Sequence, residues 1–150
     1  MSCGIALAAA LLLADPSVAL AAAQPVAVPG APVSVASEPL FADIVSRASA
    51  LKALAAGFTP DTVPAGWTEF RIRAMALADL DMQGHLILAE RGTDGDLKCI
   101  LRGIAEDIPV KLDAVETADS PAARATALSE LTYLLNDNVE VVTAPPQPEA

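Results

Sequence analysis

Histidine, cysteine and aromatic residues are scarce in this chain of 150 residues. The sequence contains one histidine (His85), two cysteines, one tryptophan, one tyrosine and three phenylalanines. Any Ser-His-Asp or Cys-His constellation would have to use His85, and no G-x-S-x-G sequence accompanies it. The soft ligands are too few for a zinc site, and no C-x-x-C-H sequence offers covalent haem attachment. We therefore expect a protein that is not an enzyme and has no cofactor.

Positive charge is also in short supply. Nine lysines and arginines stand against 19 aspartates and glutamates, which gives a net charge of −10, and the first cation is Arg47. Such a chain repels phosphate backbones and anionic lipid surfaces, so we expect no nucleic-acid partner. An acidic surface suits a basic partner protein or a polyamine-like ligand, although solubility alone would favour the same charge.

Long hydrophobic runs are absent, and the longest apolar run has the length of a signal-peptide core. Ile5–Ala14 (IALAAALLLA) is ten residues long, whereas a membrane-spanning helix needs about 20. The small residues Ala21–Ala23 then supply an A-x-A cleavage pattern. We predict that residues 1–23 are a signal peptide, which makes the mature protein periplasmic or secreted and not membrane-spanning. Because Met1–Gly4 lacks the usual lysine or arginine, the alternative is an uncleaved leader on a cytoplasmic protein.

The two cysteines fall on either side of the predicted cleavage site. Cys3 precedes the apolar run and would be removed with the leader, which leaves Cys99 as the single cysteine of the mature chain. One cysteine excludes an internal disulfide framework. We expect Cys99 to be a buried packing residue, with pairing between chains as the alternative.

The remaining sequence predicts one domain between two proline-rich ends. Residues 24–37 (QPVAVPGAPVSVAS) are rich in proline and alanine and carry no charge, which is typical of an extended linker. Residues 144–150 (APPQPEA) form a similar tail that we expect to be disordered. Only residues 38–143 hold enough periodic apolar side chains for a core, so we predict a single globular domain there.

Helical spacing of apolar residues is clearest in three segments. In the first, Ser37 is an N-cap candidate before Pro39, and Gly57 is expected to end the helix in the left-handed conformation. The second begins at Asp96 behind a capping box formed with Thr93, and Pro109 is expected to kink or split it.

The third helical segment begins with a cap and a proline. Ser120 and Pro121 supply this start, and four leucines continue an apolar face at helical spacing. The polar run Asn136–Asn138 predicts the end of this helix. Val139–Val142 is then expected to be a frayed tail or a short strand.

The segment from Trp67 to Arg91 fits two secondary structures. Alternating apolar and charged residues, with Gln83-Gly84 as the turn, would make a β-hairpin at residues 68–91. The alanines, leucines and methionines of the same segment favour a helix. We prefer the helix, which predicts an all-α, small antiparallel bundle of about four helices. The alternative is an α+β fold with a central β-hairpin at residues 68–91.

One local pattern, Asp79 to Glu90 (DLDMQGHLILAE), carries candidate metal ligands. Acids stand at positions 1, 3 and 12 of the twelve, a glycine at position 6 and a branched apolar residue at position 8. This spacing resembles the calcium loop of an EF-hand, which binds through carboxylate and carbonyl oxygens. The resemblance implies a Ca²⁺ site whose ligands are listed here: Asp79, Asp81, Gln83, Glu90 and the backbone carbonyl of His85.

Departures from the EF-hand pattern support a structural alternative. Gln83 replaces the usual Asp or Asn at position 5, and no second loop is present. On a continuous helix, Asp81 and His85 would instead form an i, i+4 pair on the surface. We therefore expect a small exported acidic helical protein with a binding or structural role, and the alternative is a calcium-binding periplasmic protein that uses residues 79–90.

Overall fold

The computed structural model describes residues 35–92 and 95–145. They form four helices, α1 (Pro39–Ala55), α2 (Trp67–Arg91), α3 (Gly95–Thr117) and α4 (Pro121–Thr143). None of these residues lies in a strand. The predicted all-α bundle is thus confirmed, and the β-hairpin alternative is wrong. The predicted signal peptide, most of the linker and most of the tail fall outside the described ranges, as does Thr93 of the predicted capping box.

The four helices pack in a closed ring, each against its two neighbours. The packed pairs are α1 with α2, α2 with α3, α3 with α4, and α4 with α1. Side-chain contacts show the direction of α2 and α3. Trp67 at the start of α2 donates to Glu116 near the end of α3, at 2.7 Å, and His85 contacts the carbonyl of Lys98 near the start of α3. These two helices are antiparallel, as in an up-and-down bundle.

The predicted apolar stripe of α3 forms one wall of the core. Its six members are all at most 4% exposed: Leu97, Leu101, Ile104, Ile108, Leu112 and Val115. Pro109 lies inside this helix, which runs from Gly95 to Thr117 as one element. The expected split at Pro109 therefore does not occur. Proline removes one helical hydrogen bond, and burial of the stripe on both sides of it stabilises the continuous helix.

The helical form of α2 follows from which of its residues are buried. A buried stripe faces the core and recurs at steps of four and three residues: Phe70, Ala74, Leu77, Asp81, Gly84 and Leu88. The alternation that suggested a strand includes Ile72, which lies 60% exposed on the outer face of the helix. Burial therefore follows a period of 3.6 residues and excludes the two-residue period of a strand.

The helix α4 continues beyond the point where the sequence predicts its end. It includes Asn136–Asn138 and reaches Thr143, so the frayed tail or strand predicted for residues 139–142 is wrong. Asn138 and Val142 are both fully buried. They extend the inward stripe of Leu131 and Leu135 by further steps of three and four, and this burial overrides the weak helix propensity of asparagine.

The helix caps predicted from the sequence are confirmed only in part. Oγ of Ser120 accepts a hydrogen bond from the Ala123 amide at 3.2 Å, so this cap is confirmed. The residue before α1 is Glu38 and not Ser37, and it makes no side-chain cap. Gly57 is not left-handed; the left-handed glycines of the described residues are Gly66 and Gly92, with φ of 78° and 64°. Both flank α2, where an L side chain would be strained.

The connection between α1 and α2 is held by one buried arginine. Arg124 of α4 is 9% exposed. Its guanidinium donates to the carbonyls of Val115 at 3.2 Å, Pro60 at 3.1 Å and Ala118 at 2.7 Å. It therefore joins residues 56–66 to the turn between α3 and α4.

Two residues, Val35 and Cys99, depart from expectation. Val35 is 3% exposed and packs into the core, although the sequence places it in the linker. Cys99 is half-buried and disulfide-bonded. The expectation of a buried packing cysteine is therefore wrong.

Gly84 permits the close approach of α1 and α3 to α2. A Cβ atom at this position would lie 3.2 Å from Cδ1 of Leu101 and 3.2 Å from Cε1 of Phe41. We expect Gly84→Leu to lower the free energy of unfolding by about 2 kcal/mol through overpacking. Gly84→Ala should stay within about 1 kcal/mol of the wild type, because the gain in helix propensity offsets the tight contacts.

Urea denaturation followed by circular dichroism measures these differences. Gly103→Leu is the matched control, because a Cβ at Gly103 would have no atom within 4 Å. The control should be at least as stable as the wild type, since leucine is a better helix former than glycine. Equal stability of Gly84→Leu and the wild type would show that α2 does not need a glycine there.

Candidate functional site

The residues of the predicted calcium loop lie on one uninterrupted helix. At about 100° per residue, Asp79, Gln83 and Glu90 share the outer face of α2, where all three are exposed. Asp81 is fully buried and His85 half-buried on the opposite face. The sharp turn that an EF-hand loop requires is absent from residues 79–90.

Helix geometry also separates the candidate ligands along the axis. Asp79 and Glu90 are eleven residues apart, which corresponds to about 16 Å of helix. Among the residues that the structure describes, no group of three or more His, Cys, Asp or Glu side chains could hold a metal ion. The described geometry therefore does not assemble the five predicted ligands around one ion.

Asp81 instead forms a buried pair with Asn138 across the centre of the bundle. Both residues are fully buried, and Asn138 Nδ2 donates to Asp81 Oδ2 at 2.6 Å. The pair joins α2 to α4, two helices that are not neighbours in the ring. The remaining oxygens, Oδ1 of each residue, are buried and have no hydrogen-bond partner within the described part of the chain.

Burial raises the pKa of Asp81 to about 8, and the hydrogen bond from Asn138 offsets part of this rise. Burial favours the neutral form because an ionised carboxylate loses its hydration in the core. Asp81 therefore carries a proton at neutral pH.

His85 takes no part in the predicted pair with Asp81. Its Nδ1 lies 2.7 Å from the carbonyl oxygen of Lys98. A carbonyl oxygen can only accept, so Nδ1 carries the hydrogen. The contact fastens α2 to the start of α3, and it is a structural role for the one histidine of the chain.

A groove lies on the surface between α3 and α4. Its volume is about 420 Å³. The lining consists of three carboxylates, a lysine, a serine, an exposed tyrosine and a leucine: Asp107, Glu130, Asp137, Lys111, Ser129, Tyr133 and Leu134. Tyr133 is 68% exposed.

Charges in the groove are only partly matched. Lys111 Nζ binds Glu130 Oε2 at 2.8 Å. This hydrogen bond, with the nearby charges of Glu130 and Asp107, raises the pKa of Lys111. The pKa of Asp137 is raised by partial burial and by repulsion from Glu140. The groove therefore contains one ammonium group, that of Lys111, and three carboxyl groups, so it has a surplus of acidic groups.

The sequence alone does not single out this groove. Glu106 and Asp107 are adjacent in sequence and diverge on the helix: Glu106 pairs with Arg102 at 3.3 Å, whereas Asp107 lines the groove. Asp137 falls in the polar run that predicts a helix end. Only the continuation of α4 places it beside α3, so no local pattern could have identified the site.

The chain matches no protein-family model, and comparison with curated proteins and with solved structures finds no significant similarity. None of the described helices is long and apolar enough to cross a membrane.

Proposed function

We propose that this protein is an exported, non-catalytic binding protein whose α3–α4 groove takes a cationic group of a basic partner protein. The observation that carries the proposal is the exposed ring of Tyr133 beside the carboxylates of Asp107, Glu130 and Asp137. An aromatic face and carboxylates together attract ammonium and guanidinium groups. Export rests on the predicted signal peptide, residues 1–23.

The charge balance of the groove supports a cationic ligand. Asp137 lies where burial and Glu140 both disfavour its ionised form. A lysine or arginine side chain placed beside it would favour ionisation and gain a charge-assisted hydrogen bond. The net charge of −10 adds a long-range attraction that accelerates association with a basic protein.

Tyr133 adds an apolar contact surface to the electrostatic attraction of the carboxylates. Exposed tyrosines are frequent at binding hot spots because the rigid ring buries a large area at low entropic cost. The ring stands on α4 beside Leu134, which is half-buried. A basic side chain could therefore lay its aliphatic part on the ring and its charge against the carboxylates.

Calorimetric titration of the full chain with a pentalysine peptide tests the groove. We expect saturable binding that weakens as salt is added. Tyr133→Ala should weaken it about five- to tenfold, and Asp137→Asn by a similar factor. Tyr133→Phe should bind nearly as well as the wild type, because the ring face is retained.

Asp61→Asn is the matched control, because Asp61 is exposed in the connection between α1 and α2 and not in the groove. It should leave the affinity unchanged. An equal loss in Asp61→Asn and Asp137→Asn would show that the peptide responds only to net charge. The absence of saturable binding at low salt would contradict the groove as a cation site.

A further inference from the structure

The α3–α4 groove already contains one cation, which belongs to the chain itself. The ammonium of Lys111 on α3 binds Glu130 of α4, with 2.8 Å between Nζ and Oε2. The charge of Asp107, one helical turn earlier on α3, also attracts this ammonium. The free protein therefore holds an ammonium group in the groove, which is the kind of group that we assign to the partner.

The other end of the groove has no cation. Asp137 follows Glu130 by seven residues on α4, so the two residues lie on nearly the same face of the helix, about 10 Å apart along its axis. Asp137 makes no ion pair with any residue that the structure describes. The groove thus has a filled cation position at Glu130 and an open one at Asp137.

We infer that Lys111 is an internal ligand of the groove, and that a basic partner displaces its ammonium from Glu130 when it binds. This inference rests on the proposed function, because it states how the same groove is regulated. In the free protein Lys111 shields Glu130. A partner with two cationic groups about 10 Å apart fills the position at Asp137 and replaces Lys111 at Glu130.

The contact between Lys111 and Glu130 is one that a ligand can exchange. The two side chains are 30% and 50% exposed, so water screens the pair and little free energy is needed to break it. The long lysine side chain regains rotamer freedom when it leaves the pair. Repulsion between Lys111 and a cation that has entered the groove also favours the release of Lys111.

Other long-range ion pairs of the described residues are better suited to a permanent structural role. Arg91 donates to both carboxylate oxygens of Glu38, at 2.9 and 2.7 Å, and Arg71 contacts two carboxylates of α3. Such forked contacts hold a fixed geometry. Lys111 instead contacts one oxygen of Glu130 with a compact charge on a flexible stem, which is the weaker and more easily replaced arrangement.

Calorimetric titration of the full chain with pentalysine at low salt tests the inference. Lys111→Met keeps the aliphatic stem and removes the ammonium, so it should bind the peptide about fivefold more tightly than the wild type. Glu130→Gln breaks the same contact but removes a carboxylate, so it should bind about threefold more weakly. If the contact were only a structural tie, both variants would change the affinity in the same direction, and that result would overturn the inference.

Arg47→Met is the matched control, because Arg47 pairs with Asp43 on α1 at 2.9 Å and does not line the groove. It also removes one positive charge and frees one carboxylate, and it should change the affinity by less than about twofold. If Lys111→Met binds no more tightly than Arg47→Met, the inference is overturned and the cation site stands. If neither the wild type nor Lys111→Met binds, the proposed function fails together with the inference.

Nuclear magnetic resonance measures the displacement directly. Penta-arginine is the probe, because it contributes no lysine signals. Proton–proton contacts between the side chains of Lys111 and Glu130 should be present in the free protein and lost in the saturated complex. Contacts that persist in the saturated complex would overturn the inference, because the partner would then bind without displacing Lys111.

Discussion

The free energy of unfolding is expected to fall as the pH rises from about 4 to about 8 and to level off above that. Asp81 has a pKa of about 8 in the folded protein, against an ordinary value of 3.8. The folded chain therefore holds a proton in this window that the unfolded chain has released. The stabilisation is complete below the unfolded pKa and is lost as the pH rises through the folded one.

The size of this effect is large for one group. A difference in proton binding of one per chain changes stability by about 1.4 kcal/mol per pH unit, so the full window corresponds to the order of 5 kcal/mol. Glu38 acts in the opposite direction, because its hydrogen bond to Arg91 lowers the pKa of Glu38. We therefore expect maximum stability at mildly acidic pH, measured by urea denaturation from pH 3 to 9.

The variant Asp81→Asn tests whether Asp81, and not another carboxyl group, causes the pH dependence of stability. The amide keeps the acceptor for Asn138 Nδ2 and replaces the unpartnered Oδ1 of Asp81 by an NH2 donor. We expect the variant to lose the decline between pH 4 and 8 and to exceed the wild type by at least about 2 kcal/mol at pH 8. Asp79→Asn, exposed on the same helix, should keep the wild-type profile.

Infrared spectroscopy offers an independent measurement of the same proton. At pH 6 the wild type should show the carbonyl band of a protonated carboxylic acid, and Asp81→Asn should lack it. A wild type that is equally stable at pH 5 and pH 8, or a variant with the wild-type slope, would show that Asp81 is ionised in the fold.

Replacing Arg124 is expected to destabilise the bundle strongly. Its guanidinium satisfies three backbone carbonyls, on Val115, Pro60 and Ala118, in a site that is 9% exposed. Arg124→Met retains most of the packing and removes every donor, so we expect a loss of about 3 kcal/mol in the free energy of unfolding. Arg124→Lys should be nearly as damaging, because one ammonium cannot reach three separated carbonyls.

The variant should also loosen residues 56–66. Limited proteolysis is expected to cut this connection faster in Arg124→Met, since the bond to Pro60 holds it to α4. Arg102→Met is the control: Arg102 is 39% exposed and pairs with Glu106 within its own helix. This change should cost less than about 0.5 kcal/mol. A loss below 1 kcal/mol in Arg124→Met would contradict the proposed role.

The sequence by itself determined the class of fold and most of the helices. The steps of three and four from Leu97 to Val115, the cap at Ser120 and the helix formers of residues 67–91 are local signals, and local signals suffice where each helix buries one stripe. The acidic balance and the scarcity of histidine were likewise visible without coordinates, because they depend on composition alone.

Only the tertiary structure decided which polar residues enter the core and which meet on the surface. Asn138 and Asp137 belong to a run that locally predicts a helix end, yet Asn138 pairs with Asp81 in the core and Asp137 lines the groove with Asp107. Residues 79–90 have a spacing that suits either a calcium loop or a helix. Burial of residues at both ends of α2 favours the helix. These outcomes depend on contacts between residues up to 57 positions apart. Free energy gained from such distant contacts outweighs local preference, and no short sequence pattern contains it.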